Sequence, residues 1–295
     1  MKLFITGATG FIGTNLIKKL AFEGHDLTIN LRYGKKSPFD VNIKTYYLEN
    51  SDMSTDIKFF EEEKFDGVIH LASYYTTVHK PFEATLIIDS NVRFGSYILE
   101  CAVNSNVKWF INTGTYWQDS QFDNGSPVNL YAASKQAFES IAKFYIDNDS
   151  ILFCTIRLSD TFGNGDTRPK VFNLWQKIAT SGEKFDMSPG EQLVDISHID
   201  DVVEAFSLLA KHMQANDGSK ILNGSVYAVK ADRLYSLRRL ASTFEEATNR
   251  KLNVNWGGKP YRKKEVMVPW QKGIVVPGWK PRVSLIEGIR RMYDI

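Results

Sequence analysis

The sequence predicts an α/β fold in which a doubly wound parallel sheet is joined to a smaller C-terminal α/β part. Three observations predict it. Apolar runs of strand length alternate with amphipathic helical segments from the N-terminus to Leu158, the order that builds parallel sheets. A turn spaced Gly7-x-x-Gly10-x-x-Gly13 joins the first strand directly to the first helix. The 295 residues, 43% of them hydrophobic, are enough to bury a full core with a second, smaller one beside it.

Composition narrows the function classes. A net charge of +2 gives no electrostatic reason to expect nucleic acid or an anionic membrane as partner. Cys101 and Cys154, both in apolar surroundings, offer neither a disulfide framework nor metal-ligand spacing, so a reducing cytoplasm and no metal are expected. Lys2 precedes an apolar run, but Thr6 and Gly7 break it at once, unlike a signal peptide. No stretch approaches membrane-spanning length, and no internal repeat is visible.

In chain order, Leu3–Thr6 reads as the end of a strand and Phe11–Phe22 as an apolar-periodic helix. A strand that turns straight into a helix presents free backbone N–H groups and a positive dipole end, which suit a pyrophosphate. Gly7 permits the tight turn, Gly10 leaves no side chain in front of the phosphate, and Gly13 lets the helix pack closely. His25–Arg32 is the second strand. At its end an acid would accept bonds from a free ribose 2′-hydroxyl, whereas a cation tolerates a 2′-phosphate. Here Arg32, Lys35 and Lys36 follow Leu31 without an acid, so NADP(H) is preferred, with NAD the alternative.

Lys44–Leu48 reads as the third strand, Asp56–Lys64 as a surface helix and Phe65–Ser73 as a buried fourth strand. His70, inside that apolar strand, is read as a structural histidine. Ser73, Tyr74, Tyr75 and His79 follow at the strand's carboxyl end, where open α/β sheets bind ligands. Pro81–Asn104 is a long helix, and Val107–Asn112 a fifth strand running into Thr113-Gly114-Thr115.

A helix over Asn129–Asp147 then places Tyr131 and Lys135 on one face, one turn apart. Tyr131 is the only one of thirteen tyrosines with a lysine four residues on. A neighbouring cation favours the phenolate, so Tyr131 is expected to have a lowered pKa suited to acid–base work on a carbonyl/alcohol pair, with Thr113 polarising the carbonyl. Ile151–Leu158 is the sixth strand, Val171–Ser181 a helix, Ser225–Val229 a strand returning to the sheet, Leu234–Thr248 a helix, and Gly278–Arg290 the closing turn and helix.

On these residues the chain resembles the extended short-chain dehydrogenase/reductase superfamily of nucleotide-sugar epimerases, dehydratases and ketoreductases. TGATGFIG resembles its cofactor fingerprint, FDGVIHLAS its fourth strand, and Asn91-Val92 an N-V pair on its fourth helix. Residues 157–170 (RLSDTFGNGDTRPK) resemble its R-P-x-N-V-Y-G-P-G-D stretch, with Asp160 where asparagine is common. Residues 190–203 (GEQLVDISHIDDVV) resemble its G-x-x-R-D-F-x-x-V-D-D-V segment, with Val194 in place of a substrate-gripping arginine. GGKPYRKKEVM resembles a late P-x-R-x-x-E motif.

The resemblance implies a Rossmann-type dinucleotide domain over 1–157, with 194–230 returning to it, and a sugar-nucleotide part over 158–193 and 231–295. It implies Thr113, Tyr131 and Lys135 as the catalytic set. Gly7, Thr9, Gly10, Phe11, Ile12, Gly13, Arg32, Leu71, Ala72 and Lys135 would hold the cofactor. Ser73, Tyr74, Thr115, Asp160, Arg168, Lys170 and Arg262 would meet a nucleotide-sugar substrate, Arg262 being the favoured grip on its diphosphate. It also implies a homodimer packed through Pro81–Asn104 and Asn129–Asp147, the first helix offering Leu86, Ile87, Val92, Ile98 and Leu99.

The family's 4,6-dehydratases carry an Asp-Glu pair after the catalytic Thr. Gly114-Thr115 supplies neither acid nor base, and the acid usual in the NAD-retaining epimerases is absent after the second strand. Reduction of a keto-sugar conflicts least with the sequence. The short gap from Thr113 to Tyr131, INTGTYW and residues 190–203 further resemble the CDP-abequose and CDP-paratose synthases, which reduce the C4 ketone of a CDP-linked dideoxy sugar for O-antigen. The alternatives are a nucleotide-sugar epimerase with tightly bound NAD and a catalytically silent NADP-binding sensor.

Overall fold

The computed structural model describes residues 1–39, 43–48, 52–119, 126–215 and 221–295. The strands are β1 (Lys2–Thr6), β2 (Asp26–Asn30), β3 (Lys44–Tyr46), β4 (Gly67–His70), β5 (Trp109–Thr115), β6 (Leu152–Leu158), β7 (Asp160–Phe162), β8 (Phe185–Met187), β9 (Leu193–Val194), β10 (Ile196–His198), β11 (Val226–Val229), β12 (Tyr235–Ser236) and β13 (Val254–Trp256). The helices are α1 (Phe11–Phe22), α2 (Met53–Glu63), α3 (Glu83–Ile88), α4 (Phe94–Asn104), α5 (Leu130–Asp147), α6 (Val171–Ser181), α7 (Ile199–Ala215), α8 (Leu237–Thr248) and α9 (Leu285–Met292).

Seven strands form one parallel sheet in the order β11-β6-β5-β4-β1-β2-β3. The chain winds outward from β1 in one direction to β3, then returns to β4 and winds in the other. The strand order therefore reverses between β1 and β4, and the carboxyl ends of these two strands open the crevice where such sheets bind ligands. β1, β4 and β5 are almost wholly buried, because parallel strands are covered on both faces. One core, with Leu3, Ile5, Leu16, Ile69, Ile111 and Phe206, lies under α1 and α7. The other, with Phe4, Phe60, Leu99, Phe110 and Phe138, lies under α2, α4 and α5.

A third core is separate: Phe162, Phe172, Trp175, Tyr235, Leu240, Phe244 and Ile289 bring α6, α8 and α9 together. Three two-stranded pairs, β10–β7, β12–β9 and β13–β8, tie this part together. These pairs are only two or three residues long, too short to show the period-two pattern, and the sequence reading did not anticipate them.

The long helix expected over Pro81–Asn104 is interrupted. Between α3 and α4 the turn Asp89–Arg93 is π-helical, an inserted widening of a kind frequent at functional sites. Asn91 lies in it, fully buried. Of the apolar residues expected to face a partner, Ile87, Ile98 and Leu99 are buried within this chain's own fold, while Leu86 is exposed. Among the described residues, no helix is long and apolar enough to cross a membrane.

Candidate active site

At the end of β1, Gly7 adopts a left-handed φ of +70°, and a Cβ there would lie 2.5 Å from the Ala72 nitrogen. The turn thus presses against the loop leaving β4, and only glycine fits. At Gly13 a Cβ would collide with the Gly7 carbonyl oxygen, so this glycine lets α1 close onto its own turn. Gly10 is the N-cap of α1 and supplies no side-chain cap, which leaves the first N–H groups of Phe11, Ile12 and Gly13 for another acceptor. Thr9 and Gly10 are exposed beside them. This is a cradle of suitable shape and polarity for a dinucleotide pyrophosphate.

Arg32 lies two residues beyond β2 and opens a turn closed by the Lys35 N–H on its carbonyl, with Lys36 next in the chain, all three exposed. Among the described residues, no hydrogen bond or ion pair holds the Arg32 guanidinium. Leu71 and Ala72 leave β4 opposite the cradle, and the Ala72 N–H donates to Thr6 Oγ1 at 3.2 Å. His70 is fully buried, with Nδ1 2.8 Å from Thr6 Oγ1. Burial holds it far below the usual imidazole range, at about 3, so it is neutral and structural.

Asn129 caps α5 by accepting from the Ala132 N–H at 2.9 Å, which fixes the start of the helix that carries Tyr131 and Lys135. Lys135 is fully buried, and among the described residues its Nζ has no hydrogen-bond partner. Burial lowers its pKa to about 8, with Glu139, one turn on, opposing that shift. The Thr113 hydroxyl, in β5, is likewise buried without a partner. Two orphaned polar groups beside a glycine cradle fit a bound nicotinamide nucleotide, whose ribose hydroxyls and substrate carbonyl would satisfy them.

Tyr131 differs from the sequence expectation. Its pKa is pushed up, to about 12, because burial of the phenol outweighs every charge near it. The cation that opposes this rise is Lys170, from the segment before α6. The sequence places Lys135 beside Tyr131 along α5, but it does not reveal that Lys170, held against the Tyr75 ring 4.9 Å away, is the cation acting on the phenol.

The substrate-side residues separate into groups. A cleft of roughly 1030 Å³ takes in Asp160, Arg168, Lys170 and Arg262, together with Tyr75, Tyr116 and Trp117. Lys170 Nζ donates to Asp160 Oδ1 at 2.8 Å, and the Tyr116 hydroxyl donates to Asp160 Oδ2 at 3.2 Å. Arg168 donates to Asp166 at 2.7 and 2.8 Å and to the Thr161 carbonyl at 2.7 Å, and its guanidinium lies 4.4 Å from the Phe11 ring centre. Of the three cations expected on the substrate side, Arg168, Lys170 and Arg262, only Arg262 has no side-chain partner among the described residues.

Ser73, Tyr74 and Thr115 are held elsewhere. Ser73 donates to Asn91 Oδ1 at 3.1 Å, and the Tyr74 N–H donates to the same oxygen at 2.7 Å. The Tyr74 hydroxyl turns away to Glu83, 2.8 Å off. Thr115 is buried and caps the short helical turn Tyr116–Gln118. Asn91 also donates to Ser134 on α5 at 2.9 Å, so the π-helical turn ties the β4 loop to the helix that carries Tyr131 and Lys135.

The sequence reading missed Tyr116 and Trp117, although they directly follow Thr113-Gly114-Thr115, and Asp166, whose grip on Arg168 depends on a turn at Gly165. Part of the gap between Thr113 and Tyr131, residues 120–125, lies outside the described residues.

With this geometry in place, the comparisons are informative. The family profile described as the NAD dependent epimerase/dehydratase family matches residues 3–223. The CDP-abequose synthase of Yersinia pseudotuberculosis is 26% identical, over 91% of this chain and 92% of that protein. The UDP-glucose 4-epimerase of Thermotoga maritima, solved with UDP-glucose, superposes with a TM-score of 0.81 at 22% identity, covering 100% of this chain and 98% of its own. That of Thermus thermophilus, in complex with NAD, gives 0.79 at 20% identity, with coverage of 100% and 98%. The matched profile spans the fingerprint turn, the Thr113–Tyr131–Lys135 set and all seven strands of the sheet except β11, and this chain belongs to the NAD dependent epimerase/dehydratase family, whose members work with nicotinamide cofactors on nucleotide sugars.

Proposed function

We propose that this protein is an NADP(H)-dependent reductase of the C4 ketone of a nucleotide-activated 4-keto-6-deoxy or dideoxy sugar, CDP-linked and destined for O-antigen. The single observation that carries the reading is Arg32: an exposed guanidinium two residues beyond β2, with no acid paired to it among the described residues, suits a 2′-phosphate. A nicotinamide consumed as NADPH and released as NADP⁺ belongs to net reduction.

Two further features support the reading. Gly114 has no room for a longer side chain, since a Cβ would lie 2.6 Å from Gln118 Oε1 and 2.9 Å from Arg157 Cγ. Gly114-Thr115 also supplies neither the acid nor the base that elimination of water requires. The relative named CDP-abequose synthase aligns along nearly the whole chain.

Reduced nicotinamide, when bound, supplies the hydride. Tyr131 donates the proton to the carbonyl oxygen, Thr113 hydrogen-bonds that oxygen, and Lys135 holds the nicotinamide ribose. Gly7, Thr9, Gly10, Phe11, Ile12, Gly13, Arg32, Leu71 and Ala72 line the cofactor's path. Asp160, Lys170, Arg168 and Arg262, with Ser73, Tyr74 and Thr115 behind them, shape the sugar-nucleotide side. The proposal extends to a dinucleotide domain over 1–157 and 194–230, a substrate part over 158–193 and 231–295, a homodimer and a cytoplasmic setting.

The test is stoichiometric. Dialysed protein given a CDP-linked 4-keto-6-deoxy sugar and NADPH should consume one NADPH per ketone reduced, followed by near-ultraviolet absorbance. A second reading, a nucleotide-sugar epimerase with retained NAD, is favoured by the two UDP-glucose 4-epimerase structures that superpose over the whole chain. Nicotinamide that survives dialysis, with sugar interconversion and no net loss of NADPH, would establish that reading instead.

A further inference from the structure

Lys170 is placed unlike an ordinary diphosphate-binding lysine. Its Nζ is already clamped by Asp160 at 2.8 Å, lies 4.9 Å from the Tyr75 ring centre and donates to the Tyr75 hydroxyl at 3.4 Å. The Tyr75 ring in turn stands edge-on to the Tyr131 ring, with centres 5.0 Å apart. Strand β7 and the entry to α6 thus meet the loop after β4 at Tyr75, whose ring stands against Tyr131.

We propose that Lys170 is a positioning residue for the reaction, a second cation that steadies the Tyr131 phenolate from the substrate side of the cleft, with Asp160 and Tyr75 fixing its place. The inference rests on Tyr131 being the proton donor of the proposed reductase. In that step the carbonyl carbon accepts a hydride from reduced nicotinamide, which leaves oxidised. The carbonyl oxygen takes the Tyr131 proton, and the O–H electron pair stays on the phenol oxygen as negative charge. That charge needs a cation where it forms.

The groups around Tyr131 are Ser73 and Tyr75 from the β4 loop and, beyond Tyr75, Lys170, with Lys135 one turn along its own helix. Behind Lys170 stand Asp160, Arg168 and, through Asp160, Tyr116. Asp160 has two opposed effects here. It holds Lys170 in position, and it partly cancels the charge that Tyr131 feels.

The experiment reads the phenol itself, without turnover, so its failure leaves the reductase reading standing. Difluorotyrosine incorporated at position 131 brings the phenol's titration into a range the fold tolerates, and fluorine NMR of the full chain follows it. Lys170→Met should raise the midpoint by about one pH unit, a tenfold loss of acidity, and Lys170→Arg should restore most of it. Asp160→Asn should move the midpoint the opposite way, downward, because the cation keeps its charge and loses its counter-ion. Lys170→Gln serves in the same role if the methionine variant does not fold. An unmoved midpoint in Lys170→Met or Lys170→Gln, or the same direction of shift in both the Lys170 and Asp160 variants, would overturn the proposal.

Discussion

Glu139 accepts a hydrogen bond from Arg157 Nη2 at 2.7 Å, joining α5 to β6 directly behind Gly114. Arg157 is 7% exposed and also pairs with Asp119. A buried guanidinium stripped of one carboxylate loses more than the pair itself contributes. Glu139→Ala should therefore destabilise the protein by about 3 kcal/mol. Glu139→Gln, which keeps one hydrogen bond, should cost less. Urea titrations of both variants measure this order, and equal midpoints for Glu139→Ala and the natural protein would contradict it.

Tyr131→Phe should bind NADPH as the natural protein does but turn over on the order of 10² times more slowly, the usual worth of a positioned proton donor. Lys135→Met should fail in both respects, since its ammonium both holds the ribose and sits one helical turn from Tyr131. Fluorescence titration with NADPH separates binding from turnover. A Tyr131→Phe enzyme of near-natural rate would assign the proton to another group.

Arg32→Glu should turn the cofactor preference toward NADH by about one to two orders of magnitude in kcat/KM. The loss is that of one charge-assisted contact to the 2′-phosphate, about 1–3 kcal/mol. Steady-state rates with each nucleotide check it, and a natural enzyme that already prefers NADH would refute the premise.

His70 gives a pH dependence with a definite sign. Its folded pKa of about 3 lies below the ordinary 6.5, so between those values the unfolded chain binds a proton that the native one refuses. The stability it contributes is complete above pH 6.5 and is lost as pH falls toward 3. Below 6.5 the natural protein should lose up to about 1.4 kcal/mol per pH unit more than His70→Asn. Parallel slopes for the two proteins in melts from pH 7.5 to 4.5 would show that His70 is not held neutral.

Association is the last expectation. Leu86 and Ile88 on α3 are 44% and 43% exposed, and Phe144 on α5 is 66% exposed, an apolar pattern that a second copy would cover. Sedimentation at micromolar concentration should show a dimer. Phe144→Lys should shift it toward monomer, and a natural protein that sediments as a monomer would remove the basis for this reading.

The sequence by itself determined the parallel sheet, the fingerprint turn and the Tyr131–Lys135 face, because each is a local matter. Strand and helix periods are read over ten residues, a glycine-only turn over seven, and an i,i+4 pair over one helical turn. It also marked the cation-rich end of β2 through Arg32, since no distant residue is needed to see that an acid is missing.

Tertiary structure alone decided how those pieces act. Tyr131 is half-buried, yet the neighbours packed around its phenol make its pKa rise rather than fall, and that crowding is a sum over several segments. Lys170 reaches the phenol's surroundings through Tyr75, 95 residues away in the chain. Asp166 engages Arg168 and Asp160 engages Lys170, leaving Arg262 as the substrate-side cation with no side-chain partner among the described residues. The π-helical turn that brings Asn91 to the backbone of Tyr74 and to Ser134 breaks a helix that the sequence pattern shows as continuous. Electrostatic and packing terms depend on distances that sequence spacing does not encode, and for that reason the candidate residues could be named from the sequence while their contacts could not.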